Sequence, residues 1–276
     1  MRTAQLMKAP IIRTKFAPAR GDLEVSYRPW GAAKFGGLPV VPVHGDWTTS
    51  ASWTRLAGEL TERWLLAPDL RGRGKTRGPD HGYSVGELAT DLVTFLDAVE
   101  LERVHLLGHG LGAAVCAQLA LREPKRVATL TMVAPPQVDG TPAEAVDETL
   151  PETYKASSRT FAQALGELAP KAPRDMLWAG LIEDGYKQRL SAATANIAAL
   201  RAWAPGEELR TLSMPRRVVV GELDPQAGPT AERAARASDC ERTTIPGVGH
   251  YPQLEAPEAL AEVVRAVIAE IEGIRG

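Results

Sequence analysis

The sequence contains few cysteines and few aromatic residues, and it has no long apolar run. Two cysteines in 276 residues, Cys116 and Cys240, exclude a disulfide framework. We expect both to be buried thiols in a cytoplasmic protein, because a reducing compartment is compatible with so few cysteines. No apolar stretch approaches the roughly 20 residues that cross a bilayer, so we expect no membrane partner.

Neither sign of charge is in excess. The chain has 32 Lys and Arg residues against 34 Asp and Glu residues, which gives a formal net charge of −2. This balance gives no electrostatic reason to bind nucleic acid or an anionic membrane. We therefore expect a small-molecule substrate as the partner, and the oligomeric state stays open.

The first 21 residues contain basic but no acidic side chains. Their apolar residues do not form the run of roughly 7 that a signal peptide requires. We expect residues 1–21 to be a basic N-terminal arm, poorly ordered and separate from the folded core.

A strand, a tight glycine turn and a helix occupy the twenty residues from Arg103 to Arg122. An apolar β-prone run precedes the turn Gly108–Gly112, and a helical pattern follows it without a breaker until Pro124. The outer glycines stand where a GxSxG nucleophile elbow needs small residues. The central position is Gly110, so this elbow offers no side-chain oxygen to attack a substrate.

Glycine turns of this kind also bind phosphates, but the dinucleotide fingerprint is not met here. The sixth position from Gly108 is Ala113 instead of glycine. No acidic residue follows about twenty residues later at the end of a strand. We expect no cofactor and no bound metal.

Short apolar strands alternate with amphipathic helices along most of the chain. The predicted strands comprise 23–27 at a sheet edge, 38–43, 64–68, the elbow strand, 127–133, 217–220 and 242–245. This alternation predicts an α/β fold with a mainly parallel, doubly wound sheet covered on both faces. It stops at Pro135-Pro136, and residues 137–212 show only helical spacings. We interpret 137–212 as an inserted helical cap on a core domain formed by 22–136 and 213–276.

The chain resembles the α/β-hydrolase family over about residues 22 to 273, because four motifs occur in the order found in that family. They are His44-Gly45 after the third strand, the elbow, Asp224 after a late strand, and His250 in a glycine-rich loop. Nucleophile, acid and histidine occur in the family in this chain order. The resemblance implies an α/β-hydrolase fold.

The resemblance also implies roles for individual residues. His250 would be the general base, and Asp224 would orient its ring and stabilise its charged form. The backbone N–H groups of Leu111 and Asp46 would form the oxyanion hole. The expected substrate pocket contains His44, Trp47, His109, Trp178 and Tyr251. The alternative for His250 is a loop histidine without a function. The alternative for Asp224 is a residue that only forms a turn.

Two positions depart from the family pattern. Gly110 leaves the nucleophile position vacant, so no acyl-enzyme can form there. Asp46 places a carboxylate beside the oxyanion hole, where an inward, ionised group would repel the oxyanion. Asp46 is therefore either a third catalytic group or a solvated surface residue. Arg71 and Arg73, in the loop after the fourth strand, are expected to have structural roles.

Three hypotheses for the function follow. The first is an enzyme whose His250–Asp224 pair performs acid–base chemistry without a serine nucleophile on a small, mainly apolar substrate. Lyase, isomerase, cyclase or water-activating chemistry would suit it. The second is a serine esterase or thioesterase inactivated by a Ser-to-Gly change at position 110. The third is a non-catalytic ligand-binding protein.

Overall fold

The computed structural model describes residues 14–19, 21–33, 36–142, 144 and 147–273, and these residues contain eight strands and ten α-helices. The strands are β1 (Lys15–Pro18), β2 (Glu24–Trp30), β3 (Val40–Val43), β4 (Leu65–Pro68), β5 (Val104–His109), β6 (Val127–Val133), β7 (Arg216–Gly221) and β8 (Arg242–Ile245). The helices are α1 (Thr54–Glu59), α2 (Val85–Ala98), α3 (Leu111–Arg122), α4 (Leu150–Ala156), α5 (Ser158–Leu168), α6 (Met176–Tyr186), α7 (Leu190–Ala202), α8 (Gly228–Ser238), α9 (Pro252–Glu255) and α10 (Pro257–Glu272).

All eight strands form one sheet in the order β1-β2-β4-β3-β5-β6-β7-β8. The pairs from β4 to β8 are parallel, whereas β1 and β2 run antiparallel to their neighbours. Strand β5 lies between β3 and β6, and all six of its residues are buried. The predicted mainly parallel, doubly wound sheet is confirmed. The elbow that follows β5 therefore lies at the middle of the sheet's carboxyl edge.

The antiparallel edge differs from the expectation. The sequence pattern places β2 at the sheet edge, but β1 pairs with it from Lys15↔Tyr27 to Pro18↔Glu24 and is the outer strand. β1 lies inside the predicted basic arm, where its Ala17 is 3% exposed and packs into the core. The arm prediction misses this strand because four residues with two polar or proline positions give no alternation signal. Residues 1–13 of the arm lie outside the described residues.

Helices cover both faces of the sheet. One buried cluster joins α2, α3 and α8 to the sheet, and a second joins α1 and α10 to the opposite face. The predicted capping box begins α2, since Ser84 Oγ accepts from the Glu87 N–H at 3.2 Å and the Glu87 carboxylate accepts from the Ser84 N–H. No described helix has the length and apolar character needed to cross a membrane.

Helices α4 to α7 lie between β6 and β7 along the chain and form a third buried cluster. Phe161 and Leu181 from these helices pack with Trp47, which follows β3, and with Leu254 of α9. The helical segment therefore contacts the loops at the carboxyl edge of the sheet. Trp203, at the end of α7, instead joins the main core, where its Nε1–H donates to Gln118 Oε1 at 3.2 Å.

Candidate active site

The elbow reverses β5 into α3 within one residue. Gly110 has φ 52° and ψ −118°, a backbone conformation that side chains rarely adopt. A Cβ atom on Gly108 would lie 2.4 Å from the Gly112 carbonyl oxygen, and one on Gly112 would lie 2.2 Å from the Val43 carbonyl oxygen. The two outer positions therefore admit glycine only. A Cβ on Gly110 would meet nothing closer than the Gly45 Cα at 3.8 Å, so position 110 has room for a side chain.

Two backbone donors beside Gly110 are free. Neither the Leu111 N–H nor the Asp46 N–H donates a hydrogen bond to any other described residue. Leu111 is the first residue of α3, where the helix dipole favours negative charge. Asp46 follows Gly45, whose Cα would lie 3.8 Å from a Cβ on Gly110. The use of the two N–H groups as an oxyanion hole stays a prediction.

His250 and Asp224 form a hydrogen-bonded pair at the ends of two adjacent strands. The His250 Nδ1–H donates to Asp224 Oδ2 at 2.8 Å, while Asp224 Oδ1 accepts the backbone N–H groups of Gln226 and Ala227 at 2.9 and 3.0 Å. Burial acts to raise the pKa of Asp224, but the hydrogen bonds from His250 and these N–H groups lower it overall. Asp224 is therefore an ionised partner that fixes the imidazole tautomer.

The second nitrogen of His250 is available for chemistry. The side chain is 12% exposed, and Nε2 has no hydrogen-bond partner within the described part of the chain. Since Nδ1 carries the proton shared with Asp224, Nε2 carries a lone pair. The ring can therefore accept a proton from a bound molecule.

The His109 ring packs against the His250 ring. Its Nε2–H donates to the His250 carbonyl at 2.8 Å, and the two ring centroids are 4.9 Å apart. Burial lowers the pKa of His109 to about 3, so the ring is neutral. His109 is 1% exposed, which makes it a packing and positioning group in the floor of the site.

His44 is fully buried and has both ring nitrogens occupied. Nδ1–H donates to the Gly45 carbonyl at 2.8 Å, and Nε2 accepts from the Leu70 N–H at 3.0 Å. Burial lowers the pKa of His44 to about 4. This ring joins the loop after β3 to the loop after β4. The sequence predicts His44 in the substrate pocket, but the ring has no free polar atom to offer there.

One carboxylate oxygen of Asp46 accepts several hydrogen bonds, and the other accepts none from the described residues. Oδ1 accepts from the Trp47 N–H at 3.1 Å, Arg73 Nη2 at 2.8 Å, Gln188 Nε2 at 2.7 Å and Asn196 Nδ2 at 2.8 Å. Oδ2 has no partner among the residues described, and the side chain is 23% exposed. Oδ2 is therefore the oxygen left to bind a proton or a ligand.

The surroundings of Asp46 are buried and polar. Burial raises the pKa of its carboxyl group, and Arg73, Gln188 and Asn196 act in the opposite direction. Arg73 also donates to the Arg71 carbonyl at 2.8 Å. Arg71 points away and binds Asp91 of α2 through two nitrogens, so the two arginines have different tasks.

Aromatic side chains surround this polar centre. The Trp47 ring lies 5.2 Å from Tyr154 and 5.6 Å from Phe161, centroid to centroid. Tyr251 is 3% exposed and lies 4.8 Å from the His109 ring, centroid to centroid. Trp178 is buried in the same cluster and holds the Arg174 guanidinium 3.9 Å above its ring. The apolar surroundings raise the pKa of the Tyr251 hydroxyl, which has no partner among the described residues.

Gln188 and Asn196 are the site residues that sequence reasoning does not find. Gln188 lies two residues before α7 and Asn196 lies within it, and both are at most 2% exposed. No motif marks them, and only the fold brings them to Asp46. Among the described residues, no group of three or more His, Cys, Asp or Glu side chains is arranged to hold a metal ion.

Comparison with protein families gives a match over most of the chain. Residues 40–263 match the model of the Alpha/beta hydrolase family. This range includes the elbow, Asp46, Asp224 and His250.

Two of the known proteins with similarity to the chain are named as an enzyme or an enzyme component. One is a dihydrolipoyllysine-residue acetyltransferase component of an acetoin cleaving system from Pseudomonas putida, 28% identical over 242 residues. Another is a 2-hydroxy-6-oxo-2,4-heptadienoate hydrolase, also from Pseudomonas putida, 39% identical over 119 residues. These alignments cover 84% and 41% of this chain, and they span only 64% and 41% of the respective relatives.

A solved structure supports the fold. Est816, described as an N-acyl homoserine lactone degrading enzyme, superposes with a TM-score of 0.75 at 25% identity. The superposition covers 91% of this chain and 99% of that one.

Proposed function

Because the chain belongs to the α/β-hydrolase family, we propose that it is an enzyme that performs acid–base chemistry with His250 and Asp224 and without a covalent nucleophile. One observation carries the proposal. His250 has a free Nε2 and a carboxylate partner at 2.8 Å, while the elbow beside it has glycine at its central position. His250 can accept a proton, but the serine hydroxyl that such a histidine activates in a serine hydrolase is missing.

The proposed step is a proton transfer to His250 Nε2. The proton comes from a C–H or O–H of the substrate, or from a water in the space beside Gly110. The electron pair of the broken bond stays on the substrate or the water, and Asp224 stabilises the imidazolium that forms. A placed base contributes about 10²–10⁴-fold to the rate, so positioning and electrostatics must supply the remainder.

Negative charge that develops on a substrate oxygen would be stabilised by the Leu111 and Asp46 N–H groups. An ionised Asp46 carboxylate beside them would oppose this charge. We propose that Asp46, which is ionised beside Arg73 in the free protein, takes up a proton from solvent on Oδ2, the oxygen without other partners, when a substrate oxygen binds. Burial, which raises the pKa of Asp46, favours this form. Asp46 would then donate to the substrate while His250 accepts.

The substrate is expected to be small and mainly apolar. The support is the aromatic cluster of Trp47, Trp178 and Tyr251 around the polar centre. A neutral molecule with one oxygen function fits a site with two backbone donors and one carboxyl group. Elimination, isomerisation, cyclisation and addition of water all begin with the proton transfer proposed here.

A second function, serine-type ester hydrolysis, is favoured by the room at position 110. The Cβ of a serine would meet only Gly45 Cα at 3.8 Å, so the elbow can hold the missing nucleophile. In that case the parent protein is inactive and a single substitution creates the activity.

A fluorophosphonate probe tests the proposed role of His250. The parent protein should not be labelled, whereas the Gly110→Ser variant should be labelled at the introduced hydroxyl, because His250 then activates its oxygen. The control is Gly110→Ser with His250→Ala, in which labelling should fall at least about 100-fold. Labelling of the parent within the site, or labelling that does not depend on His250, would overturn the proposal.

Turnover separates the two functions. The parent and His250→Ala are compared on p-nitrophenyl butyrate, on γ-butyrolactone, and in deuterium exchange into phenylacetone followed by proton NMR. The acid–base function predicts His250-dependent exchange by the parent and no acyl adduct by intact mass. Ester turnover only after Gly110→Ser, with no exchange by the parent, would favour the serine-type function.

A further inference from the structure

The loop that carries His250 is held through its backbone by one carboxylate. Glu255 Oε2 accepts from the Gly249 N–H at 3.1 Å, and Glu255 Oε1 accepts from the Tyr251 N–H at 3.1 Å. These two N–H groups flank His250 on either side. One side chain therefore fixes the peptide planes before and after the proposed base.

The same carboxylate reaches the helical segment above the sheet. Glu255 Oε2 also accepts from the Lys171 N–H at 3.2 Å, and the His250 N–H donates to the Leu168 carbonyl at 2.7 Å. Leu168 is the last residue of α5, and Lys171 lies between α5 and α6. The backbone of the His250 loop is thus joined to residues 168–171 both directly and through Glu255.

All of the described donors to Glu255 are backbone N–H groups. Burial raises the pKa of this carboxyl group, and the three N–H groups act in the opposite direction by stabilising its ionised form. In that form the three hydrogen bonds restrain the loop more than neutral bonds would. A glutamine side chain at position 255 has only one acceptor atom, so part of this set of three hydrogen bonds would not form.

We propose that Glu255 is a positioning residue that sets the ring of His250 against Asp224 and couples the loop to residues 168–171. Glu255 acts through the backbone of the loop and does not touch the substrate. The proposal rests on the proposed function in so far as it takes His250 as the base. A misplacement of about 1 Å in a catalytic group can cost on the order of 100-fold in rate, so loss of this restraint should be visible in the chemistry.

The test compares Glu255→Gln with Glu222→Gln. Glu222 is the matched control because its carboxylate accepts the Gly247 N–H of the same loop at 2.7 Å, but from an exposed position. The first measurement is the low-field proton NMR signal of the His250 Nδ1–H shared with Asp224, identified by its loss in His250→Ala. The second is the rate of fluorophosphonate labelling in the Gly110→Ser background.

Glu255→Gln should broaden or abolish the low-field signal and slow labelling by at least about tenfold. Glu222→Gln should leave the signal in place and the labelling rate within about twofold of the Gly110→Ser protein, because it does not touch the peptides that flank His250. Glu255→Asp, which keeps the charge but shortens the reach, should also slow labelling. It serves as the second variant if the glutamine protein does not fold.

A purely structural role for Glu255 predicts a lower melting temperature with an unchanged signal and labelling rate, and that result would overturn the proposal. Failure of the proposed function is distinguishable, because the NMR signal needs neither substrate nor turnover. If Gly110→Ser is never labelled, the signal alone decides whether Glu255 positions His250.

Discussion

The Arg73 guanidinium, which has no exposed surface, donates to Asp46 Oδ1 at 2.8 Å. An arginine buried in this way needs an anionic partner, because an unpaired buried charge is costly. Asp46 and Arg73 are therefore linked in stability as well as in position. A substitution of Asp46 will change both folding and chemistry, and experiments must separate the two.

We expect Asp46→Asn to lower the free energy of unfolding by about 3 kcal/mol, because it leaves Arg73 without a counter-charge. Asp46→Asn combined with Arg73→Met should recover most of this loss, since it removes the unpaired charge and keeps an acceptor oxygen for Gln188 and Asn196. Urea unfolding of the three proteins measures the effect. Equal stability of Asp46→Asn and the parent would show that Arg73 does not depend on Asp46.

The pH dependence of turnover tests Asp46 as a proton donor. A donor must be protonated, so turnover should decline as the pH rises through the pKa of Asp46, which burial raises. In Asp46→Asn this decline should be absent and turnover should be strongly reduced. The double variant with restored stability should stay inactive. Unchanged turnover in both would make Asp46 a structural residue.

His250→Ala should reduce turnover by about 10²–10⁴-fold, the usual contribution of a placed base. Asp224→Asn should act in the same direction but less strongly, because it disturbs only the tautomer and the charge of the ring. Circular dichroism should show native folds for both variants. Turnover in His250→Ala close to that of the parent would favour a ligand-binding function.

The glycines of the elbow should differ in their tolerance of a side chain. Gly110→Ala adds a Cβ in free space, so its cost is the backbone strain of about 1–3 kcal/mol. Gly112→Ala places its Cβ 2.2 Å from the Val43 carbonyl and should prevent or severely impair folding. Soluble yield and urea unfolding of the two variants provide the comparison. Similar costs at both positions would contradict the steric explanation.

Stability against acid should depend on Glu272 of α10. Burial acts to raise the pKa of this carboxyl group, but hydrogen bonds from Arg63, His105 and the Leu38 N–H lower it to about 2. A lowered pKa means that the stabilisation, about 3 kcal/mol, is present above pH 4.5 and is lost as the pH falls toward 2. The difference in unfolding free energy between the parent and Glu272→Gln, measured from neutral pH down to about pH 3, should shrink below pH 4.5. A difference that is constant with pH would refute this.

The parallel part of the sheet was predictable because its strands are short runs of apolar or β-branched residues bounded by turn residues. The pattern predicts strands 127–133 and 242–245 with the bounds that they have in the structure. The outer strand β1 was not predictable, since only one of its four residues is buried. Its position depends on pairing with β2, which a local pattern does not contain.

The candidate site also contains some residues that were predictable from the sequence and others that were not. The positions of Gly110, Asp224 and His250 follow from motifs on neighbouring strand ends, and these motifs are readable in the sequence. The partners of Asp46 are not readable, because Gln188 and Asn196 are 142 and 150 residues away and reach it only through the fold. Nor does the sequence distinguish His44 with both nitrogens occupied from a histidine that faces a pocket.

The outer position of β1 has a consequence for truncated forms of the protein. β1 occupies the hydrogen-bonding groups on one side of β2, as far as Pro18↔Glu24. If residues up to 19 were removed, β2 would present an unpaired edge that can template strand addition from another molecule. Such a truncation would turn a paired strand into an aggregation surface, although β1 lies outside every element of the candidate site.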